Sequence, residues 1–173
     1  MSLADINHTD MKKIPILVLG VGNNIQMDDG IGVHVIEEMK KNLLPENIEL
    51  YDGGTAGYDL LGIIDGRKKV IVIDAVKGQH PPGTLYKFSP DDIPAENSYD
   101  SLHQLGIIEA LKLAELQNKA PGQTIIIGVE PEKIDWGLTL TSVVKDKIPR
   151  IIEMVMDEID IAGNTISSNI SNN

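Results

Sequence analysis

The chain has 173 residues, of which 42% are hydrophobic and 24% are charged, and its 26 acidic and 15 basic residues give a formal net charge of −11. This length and composition predict one globular domain whose core needs neither disulfides nor a structural metal. The acidic balance argues against nucleic-acid binding, because a phosphate backbone would be repelled.

Two absent features narrow the possible classes of protein and of functional site further. The chain has no cysteine, so disulfides, thiolate metal sites and a cysteine nucleophile are excluded, and a bound metal would need carboxylate or imidazole ligands. No apolar run approaches the roughly 18 residues that a membrane span needs, and the polar start lacks the apolar core of a signal peptide. We expect a cytoplasmic protein without a membrane segment.

The first half of the chain alternates strands with helices. Residues 14–19 (IPILVL) form a short apolar run before Gly-Val-Gly, which is typical of a buried strand that enters a tight turn. Apolar positions at helical spacing over 32–43 predict the first helix, which Pro45 closes. Residues 48–51 predict a second strand and 58–64 a short helix.

The second half continues this alternation. The run 69–75 (KVIVIDA) predicts a central parallel strand, and 84–88 an edge or antiparallel strand after two prolines. A helix over 102–116, with Ser101 as its cap, leads to a strand over 124–129. The last helix spans about 144–159, and Pro149 is expected to kink or restart it.

These elements predict an α/β fold, with a twisted, mainly parallel five-stranded sheet and helices on both faces. We place a single domain at residues 14–162. The polar segments 1–13 and 163–173 are predicted to be flexible tails.

Unusual polar residues follow the ends of the predicted strands. They are Gly22, Asn23, Asp52, Asp74 and Glu130. In open α/β sheets ligands bind at the carboxyl ends of the strands, beside the point where the strand order reverses. A site at that end of the sheet is therefore predicted.

Helix starts bring further candidates to the same end of the sheet. Asp28 and Asp29 precede the first helix, and His103 lies in the first turn of the third. The positive end of a helix dipole lowers the pKa of a histidine and favours the neutral imidazole that binds a metal. Two carboxylates and one imidazole suit a divalent ion such as Ni²⁺ or Zn²⁺.

Each candidate also has a plainer interpretation. Asp28 or Asp29 can cap the first helix, and for Asp28 capping is the favoured role. Asp74 can equally cap the segment that follows its strand, and His103 alone can be an ordinary helical residue. Gly53 and Gly54 can serve only the turn after the second strand.

Other functional motifs are incomplete or missing. Gly20 and Gly22 follow a strand, but Ile25 replaces the third glycine of a dinucleotide-binding fingerprint. Asp28 and Asp29 would also repel a pyrophosphate there. No G-x-S-x-G, P-loop or H-E-x-x-H sequence occurs, so a serine hydrolase, an NTPase and a thermolysin-type protease lack their local signatures.

Five blocks together resemble the [NiFe] hydrogenase maturation endopeptidases. They are ILVLGVGNNIQMDDGIG at 16–32, DGGTAG at 52–57, VIDA at 72–75, HQLG at 103–106 and GVEP at 128–131. The resemblance extends over about residues 14–160 in order, and the joint occurrence of the blocks is far more specific than any single one. It implies the same α/β fold.

The resemblance also implies a site and a reaction. Asp29, Asp74 and His103 match the metal-binding triad of the family, and Asp52 matches a further acid that acts on water or positions the peptide. The implied substrate is the large-subunit precursor, whose C-terminal extension is removed after nickel insertion, so the nickel arrives with the substrate. Zinc or cadmium are other divalent ions that the site can hold.

Two other functions stay open from the sequence. One is a nickel-checking chaperone with the same triad and no peptidase activity, which only a cleavage assay separates from the protease. The other is a small nucleotide-binding domain, which the missing third glycine disfavours. We expect a monomer.

Overall fold

The computed structural model describes the backbone of residues 13–92 and 102–170, and the side chains of these residues except at 58, 102–105 and 161–170. Its five strands are β1 (Ile16–Val21), β2 (Ile48–Gly54), β3 (Lys69–Ala75), β4 (Leu85–Phe88) and β5 (Gln123–Val129). In the described part of the chain, no helix is long and apolar enough to cross a membrane.

The strands form one sheet in the order β2-β1-β3-β5-β4. β2, β1, β3 and β5 run parallel, whereas β4 is an antiparallel edge strand against β5. The order reverses between β1 and β3, because the chain goes from β1 to one side and then crosses back to β3 on the other. The carboxyl ends of β1 and β3 therefore border the crevice where ligands bind in such sheets.

Helices cover both faces of the sheet, as the sequence predicts. The helices are α1 (Ile31–Met39), α2 (Leu61–Ile64), α3 (Leu102–Leu116), α4 (Ser142–Lys145) and α5 (Ile148–Ile170). One core lies beneath α1, α4 and α5, and a second lies beneath α2 and α3. Alternate side chains of β1 and β3 enter the two cores, which explains why these strands are apolar throughout.

The last helical region differs from its predicted bounds. α4 ends at Lys145, and Pro149 lies in the first turn of α5, where its missing N–H costs no hydrogen bond. Pro149 therefore accompanies a helix restart, which is one of the two predicted outcomes. The backbone of α5 continues to Ile170, into the segment that the sequence predicts as a tail. Adding a residue to a formed helix is far easier than starting one, so weak helix formers can extend it.

Candidate functional site

The start of α1 lies directly against the ends of β1 and β3. A Cβ on Gly32 would come within 2.3 Å of the carbonyl oxygens of Val21 and Ile73, and one on Gly20 within 2.2 Å of the Gly32 oxygen. Only glycine fits at these positions, because real Cβ atoms do not approach backbone so closely. This contact sets the turn before α1 above the crevice between the two strands.

Asp74 lies in this crevice at the end of β3. It is 1% exposed, and its Oδ1 accepts a hydrogen bond of 2.8 Å from the Ala75 amide. The other oxygen, Oδ2, is buried and has no hydrogen-bond partner among the described residues. Burial, and then the nearby charge of Asp29, raise the pKa of Asp74 well above its ordinary value. A buried carboxylate oxygen left without a donor is the feature expected of a metal ligand or an acid–base group.

Asp29 lies in the 3-10 turn before α1 and is 3% exposed. Its Oδ2 accepts a hydrogen bond of 3.0 Å from the Asn23 amide in the loop after β1. Gly22 has a φ of +126°, and a Cβ there would lie 1.9 Å from the backbone carbonyl oxygen of Asp29. Gly22 and Asn23 thus hold the loop against Asp29, whose charge is one cause of the raised pKa of Asp74.

Asp28 has a different role from the capping that the sequence favours. Its fully buried carboxylate accepts backbone N–H bonds from Glu132 and Lys133 at 2.9 Å each and from Thr141 at 2.7 Å, together with the Thr141 hydroxyl at 2.9 Å. No side chain caps the turn before α1 or α1 itself. Capping is therefore wrong for Asp28, which instead fastens the loop 131–141 to the rim of the crevice.

The turn after β2 lies at the same end of the sheet. Asp52 pairs in register with Gly20, and its exposed carboxylate accepts a hydrogen bond of 3.0 Å from the Gly54 amide. Gly54 has a φ of +47°, and a Cβ on Gly53 would lie 2.8 Å from a Leu19 methyl group. Asp52 thus shapes the turn, and its action on water or peptide stays a prediction.

Glu130 organises the loop that follows Asp74. Its carboxylate accepts hydrogen bonds from the Gly78 amide at 2.7 Å and from the Tyr86 hydroxyl, and the same hydroxyl lies 3.2 Å from His80 Nδ1. Burial and the interaction with Glu130 raise the pKa of Tyr86 to about 12. The sequence pointed to Glu130 but gave no sign of Tyr86, which reaches it from the antiparallel strand.

The third predicted ligand, His103, has a side chain outside the described residues. Its backbone lies in the first turn of α3, as predicted. α3 covers the face of the sheet that receives Val70 and Val72, and Asp74 follows the same alternation along β3. At Gly106, α3 approaches the loop after β2 so closely that a Cβ would lie 3.0 Å from the Gly57 Cα. The start of α3 and Asp74 therefore share one side of the sheet.

Two of the described side chains could form part of a metal site. Asp74 and Asp29 offer two buried carboxylates at the crevice, and hard or borderline divalent ions accept such oxygen ligands. Within the set of described side chains, no three acids or histidines are grouped closely enough to hold a metal ion. The complete triad with His103 stays a prediction, which the two carboxylates fit.

Known proteins share this sequence pattern. The profile of the family described as hydrogenase maturation protease matches residues 33–158. The chain is 35% identical to the hydrogenase 2 maturation protease of Escherichia coli, covering 86% of this chain and 92% of that protein. It is also 35% identical to the hydrogenase expression/formation protein HupD of Bradyrhizobium diazoefficiens, covering 88% and 81%.

Solved structures share the fold. The hydrogenase maturating endopeptidase HybD from Escherichia coli superposes with a TM-score of 0.80 at 35% identity, covering 86% of this chain and 93% of that one. A hydrogenase maturation protease HycI from Thermococcus kodakarensis, at 20% identity, has a TM-score of 0.70. The second likeness concerns the fold alone.

Proposed function

The chain belongs to the hydrogenase maturation protease family and is a peptidase, and from this premise we propose that it removes the C-terminal extension of a [NiFe] hydrogenase large-subunit precursor after nickel insertion. The observation that supports nickel recognition is the fully buried Asp74, whose Oδ2 has no hydrogen-bond partner among the described residues. A divalent ion brought by the substrate would offset the charge that burial disfavours.

Each residue of the crevice has a proposed part in this reaction. Asp29 and Asp74, with His103, bind the nickel of the precursor and thereby position the peptide that follows the metal centre. The place of His103 in the first turn of α3 suits a neutral imidazole, which a metal ligand must be. Asp52, exposed beside the crevice, positions the peptide or accepts a proton from the attacking water. Nickel in the substrate polarises the carbonyl or only signals that loading is complete.

The experiment is incubation of the purified protein with nickel-loaded and nickel-free precursor, followed by intact mass measurement. We expect a C-terminal peptide to be lost only from the loaded form. Asp74→Asn and His103→Ala should abolish this cleavage without unfolding the protein. Asp91→Asn is a matched control, because Asp91 is exposed in the 3-10 turn after β4, at the opposite end of the sheet. Cleavage by either site variant at the wild-type rate would refute the site.

The remaining outcomes address the other proposals. Loss of the peptide from both forms would refute the nickel check while leaving the peptidase. Cleavage of neither form would favour the nickel-checking chaperone, provided that the protein still binds the loaded precursor. We also propose that the protein is cytoplasmic and monomeric. Light scattering tests the monomer directly. Zinc or cadmium should raise the thermal midpoint of wild type and not of Asp74→Asn, because only a ligand that binds the folded state stabilises it.

A further inference from the structure

Large apolar side chains are unevenly distributed over the surface. Five of those described are exposed: Ile25 (43%), Leu43 (104%), Leu116 (83%), Trp136 (75%) and Leu138 (70%). Leu43 follows α1 and Leu116 ends α3, so each lies at the amino end of the sheet, apart from the crevice. The other three lie in the two loops that border the crevice, and Trp136 is the only tryptophan of the chain.

Backbone pairing brings these three residues to one stretch of surface. Gln26 and Gly137 form an isolated parallel bridge. The Gly137 amide donates to the Ile25 oxygen, and the Met27 amide donates to the Gly137 oxygen, each at 3.0 Å. Gly137 stands between Trp136 and Leu138 in the chain, so Ile25 lies beside both. We call Ile25, Trp136 and Leu138 the Trp136 surface.

The loop that carries this surface is fixed from beneath. Asp28 holds the backbone on both sides of it, at Lys133 and at Thr141. The Trp136 amide donates to the Asp135 carboxylate at 2.8 Å. A loop fastened at both ends loses little conformational freedom when a partner binds, which favours its use as a docking site.

Two of the charges nearest to Trp136 in the chain pair with each other. Lys133 and Asp135 pair with each other at 3.3 Å, so these two neighbouring charges compensate locally. The exposed side chains of Ile25, Trp136 and Leu138 favour an apolar protein surface as the partner. This contrasts with the net charge of −11, which by itself would favour a basic partner.

The Trp136 surface is too small to form a stable protein interface by itself, so a partner must also cover the area around it. A covered tryptophan contributes about 150–250 Å². A stable interface needs about 800 Å² from each partner, which corresponds to a disc of about 16 Å radius. The Cα of Ile25 is four residues from that of Asp29, hence within about 14 Å of it. A folded protein whose metal centre rests at Asp29, with an interface of this size centred there, would cover Ile25 as well.

We propose that the Trp136 surface docks the folded body of the large-subunit precursor through apolar side chains beside its metal centre. This rests on the proposed function and adds a recognition surface to it. Trp136 supplies the main anchor, since exposed tryptophans dominate the binding energy of protein interfaces. The precursor is recognised twice, by its metal at the two carboxylates and by its surface at Trp136.

The test measures binding and cleavage separately. Nickel-free precursor is used for binding by biolayer interferometry, because it is not expected to be cut during the measurement. We expect Trp136→Ala and Leu138→Ser to raise the dissociation constant at least tenfold. Leu116→Ser, at a leucine that is even more exposed but lies at the other end of the sheet, should change it less than twofold. Thermal unfolding of each variant verifies that it is folded.

The outcomes distinguish this proposal from the proposed function. Equal affinity of all variants, together with normal cleavage of loaded precursor, would overturn docking and leave the peptidase. Binding that depends on Trp136 without any cleavage would support docking and refute the peptidase. A wild-type protein that does not bind the precursor would overturn docking. So would a wild-type dimer that Trp136→Ala converts to a monomer, because the surface would then belong to a second copy of this chain.

Discussion

At the amino end of the sheet two buried basic residues meet opposite charges, whereas at the carboxyl end the buried carboxylates of Asp28 and Asp74 have no oppositely charged partner among the described residues. Lys69, 2% exposed, donates to Glu158 at 2.6 Å, and the almost fully buried Arg67 donates to Glu49 at the same distance. Asp28 and Asp74 are as deeply buried, yet no ion pair to either is found among the described residues. The paired charges belong to the scaffold, and the buried carboxylate of Asp74 is the group that the proposed metal site would use.

The same contrast extends to hydrogen bonding. The Lys69 ammonium also donates to the Glu158 carbonyl oxygen at 2.9 Å, and Lys87 donates to the second carboxylate oxygen of Glu158 at 2.9 Å. Asp74 instead keeps one buried oxygen without a described donor. The buried basic residues at the amino end are thus fully paired, while the carboxyl end contains a group whose ionisation works against folding. Three variants test this contrast through the free energy of unfolding.

The largest loss of unfolding free energy is expected for Glu158→Ala. The variant leaves Lys69 buried without its carboxylate, and breaking such a pair costs about 3–5 kcal/mol. Urea denaturation at pH 7 measures it. Although burial raises the pKa of Glu158, its bonds to Lys69 and Lys87 lower it below the ordinary 4.5. The stability that this pair contributes is present above pH 4.5 and is lost as the pH falls through the lowered pKa.

A matched control lies on the same helix. Glu153 pairs with Arg150 at 2.7 Å, but both side chains are at least 60% exposed. Exposed pairs contribute little, so Glu153→Ala should hardly change the urea midpoint. If both variants lost the same stability, burial would not be the cause and the contrast between the two ends would fail.

A smaller loss is expected for Asp28→Ala at the carboxyl end. The variant removes four hydrogen bonds that fix the loop 131–141, but water can reach the freed amides once the loop opens. We expect a loss of about 2–3 kcal/mol, within the range for hydrogen bonds to a charged group. Trypsin should then cut after Lys133, which is exposed in this loop, faster than in the wild type.

The control for Asp28→Ala is Asp92, an aspartate that accepts one exposed hydrogen bond. Asp92 accepts a hydrogen bond of 2.7 Å from the Ser89 amide. Asp92→Ala should cost less than about 1 kcal/mol and leave the cleavage at Lys133 unchanged. Slow cleavage at Lys133 in Asp28→Ala would show that other contacts, not this carboxylate, hold the loop.

The fold follows from local patterns to a large extent. The bounds of β3 agree with the run 69–75, because a central parallel strand buried on both faces is apolar throughout. Parallel strands with intervening helices then require helices on both faces, and the crevice follows from the reversal of strand order. The prediction for Asp74 depends only on its place at the end of such a strand.

The partners of individual charges do not follow from local patterns. Asp28 and Asp29 are neighbours of one chemical type, and the donors that give Asp28 its role lie 104 to 113 residues further along the chain. Glu158 is 89 residues from Lys69, and although its spacing from Ile151 and Val155 puts it on the buried face of α5, that spacing does not identify Lys69 as its partner. Such pairs are decided by tertiary packing, so the sequence alone favoured a helix cap for Asp28.

The smallest change in the free energy of unfolding is expected for Asp74→Asn in metal-free protein, and loss of the ionisable group contributes a gain in stability instead of a loss. Burial and the charge of Asp29 raise the folded-state pKa of Asp74 above its ordinary 3.8, so ionisation destabilises the wild type. This destabilisation by Asp74 is absent below pH 3.8 and grows as the pH rises towards the raised pKa. Asparagine cannot ionise, but its amide group leaves a buried donor that costs about 1–3 kcal/mol.

The loss of the ionisable group stabilises the variant, whereas the buried amide destabilises it. The difference in unfolding free energy between variant and wild type is therefore more informative as a function of pH than at one pH. Urea denaturation in EDTA between pH 4.5 and 8.5 should show Asp74→Asn gaining stability relative to wild type as the pH rises. Asp91→Asn, at an exposed position, should show no such trend. A difference that stays constant across this range would mean that Asp74 ionises freely in the folded protein. The carboxyl end of the sheet would then hold no uncompensated charge for a metal ion to relieve.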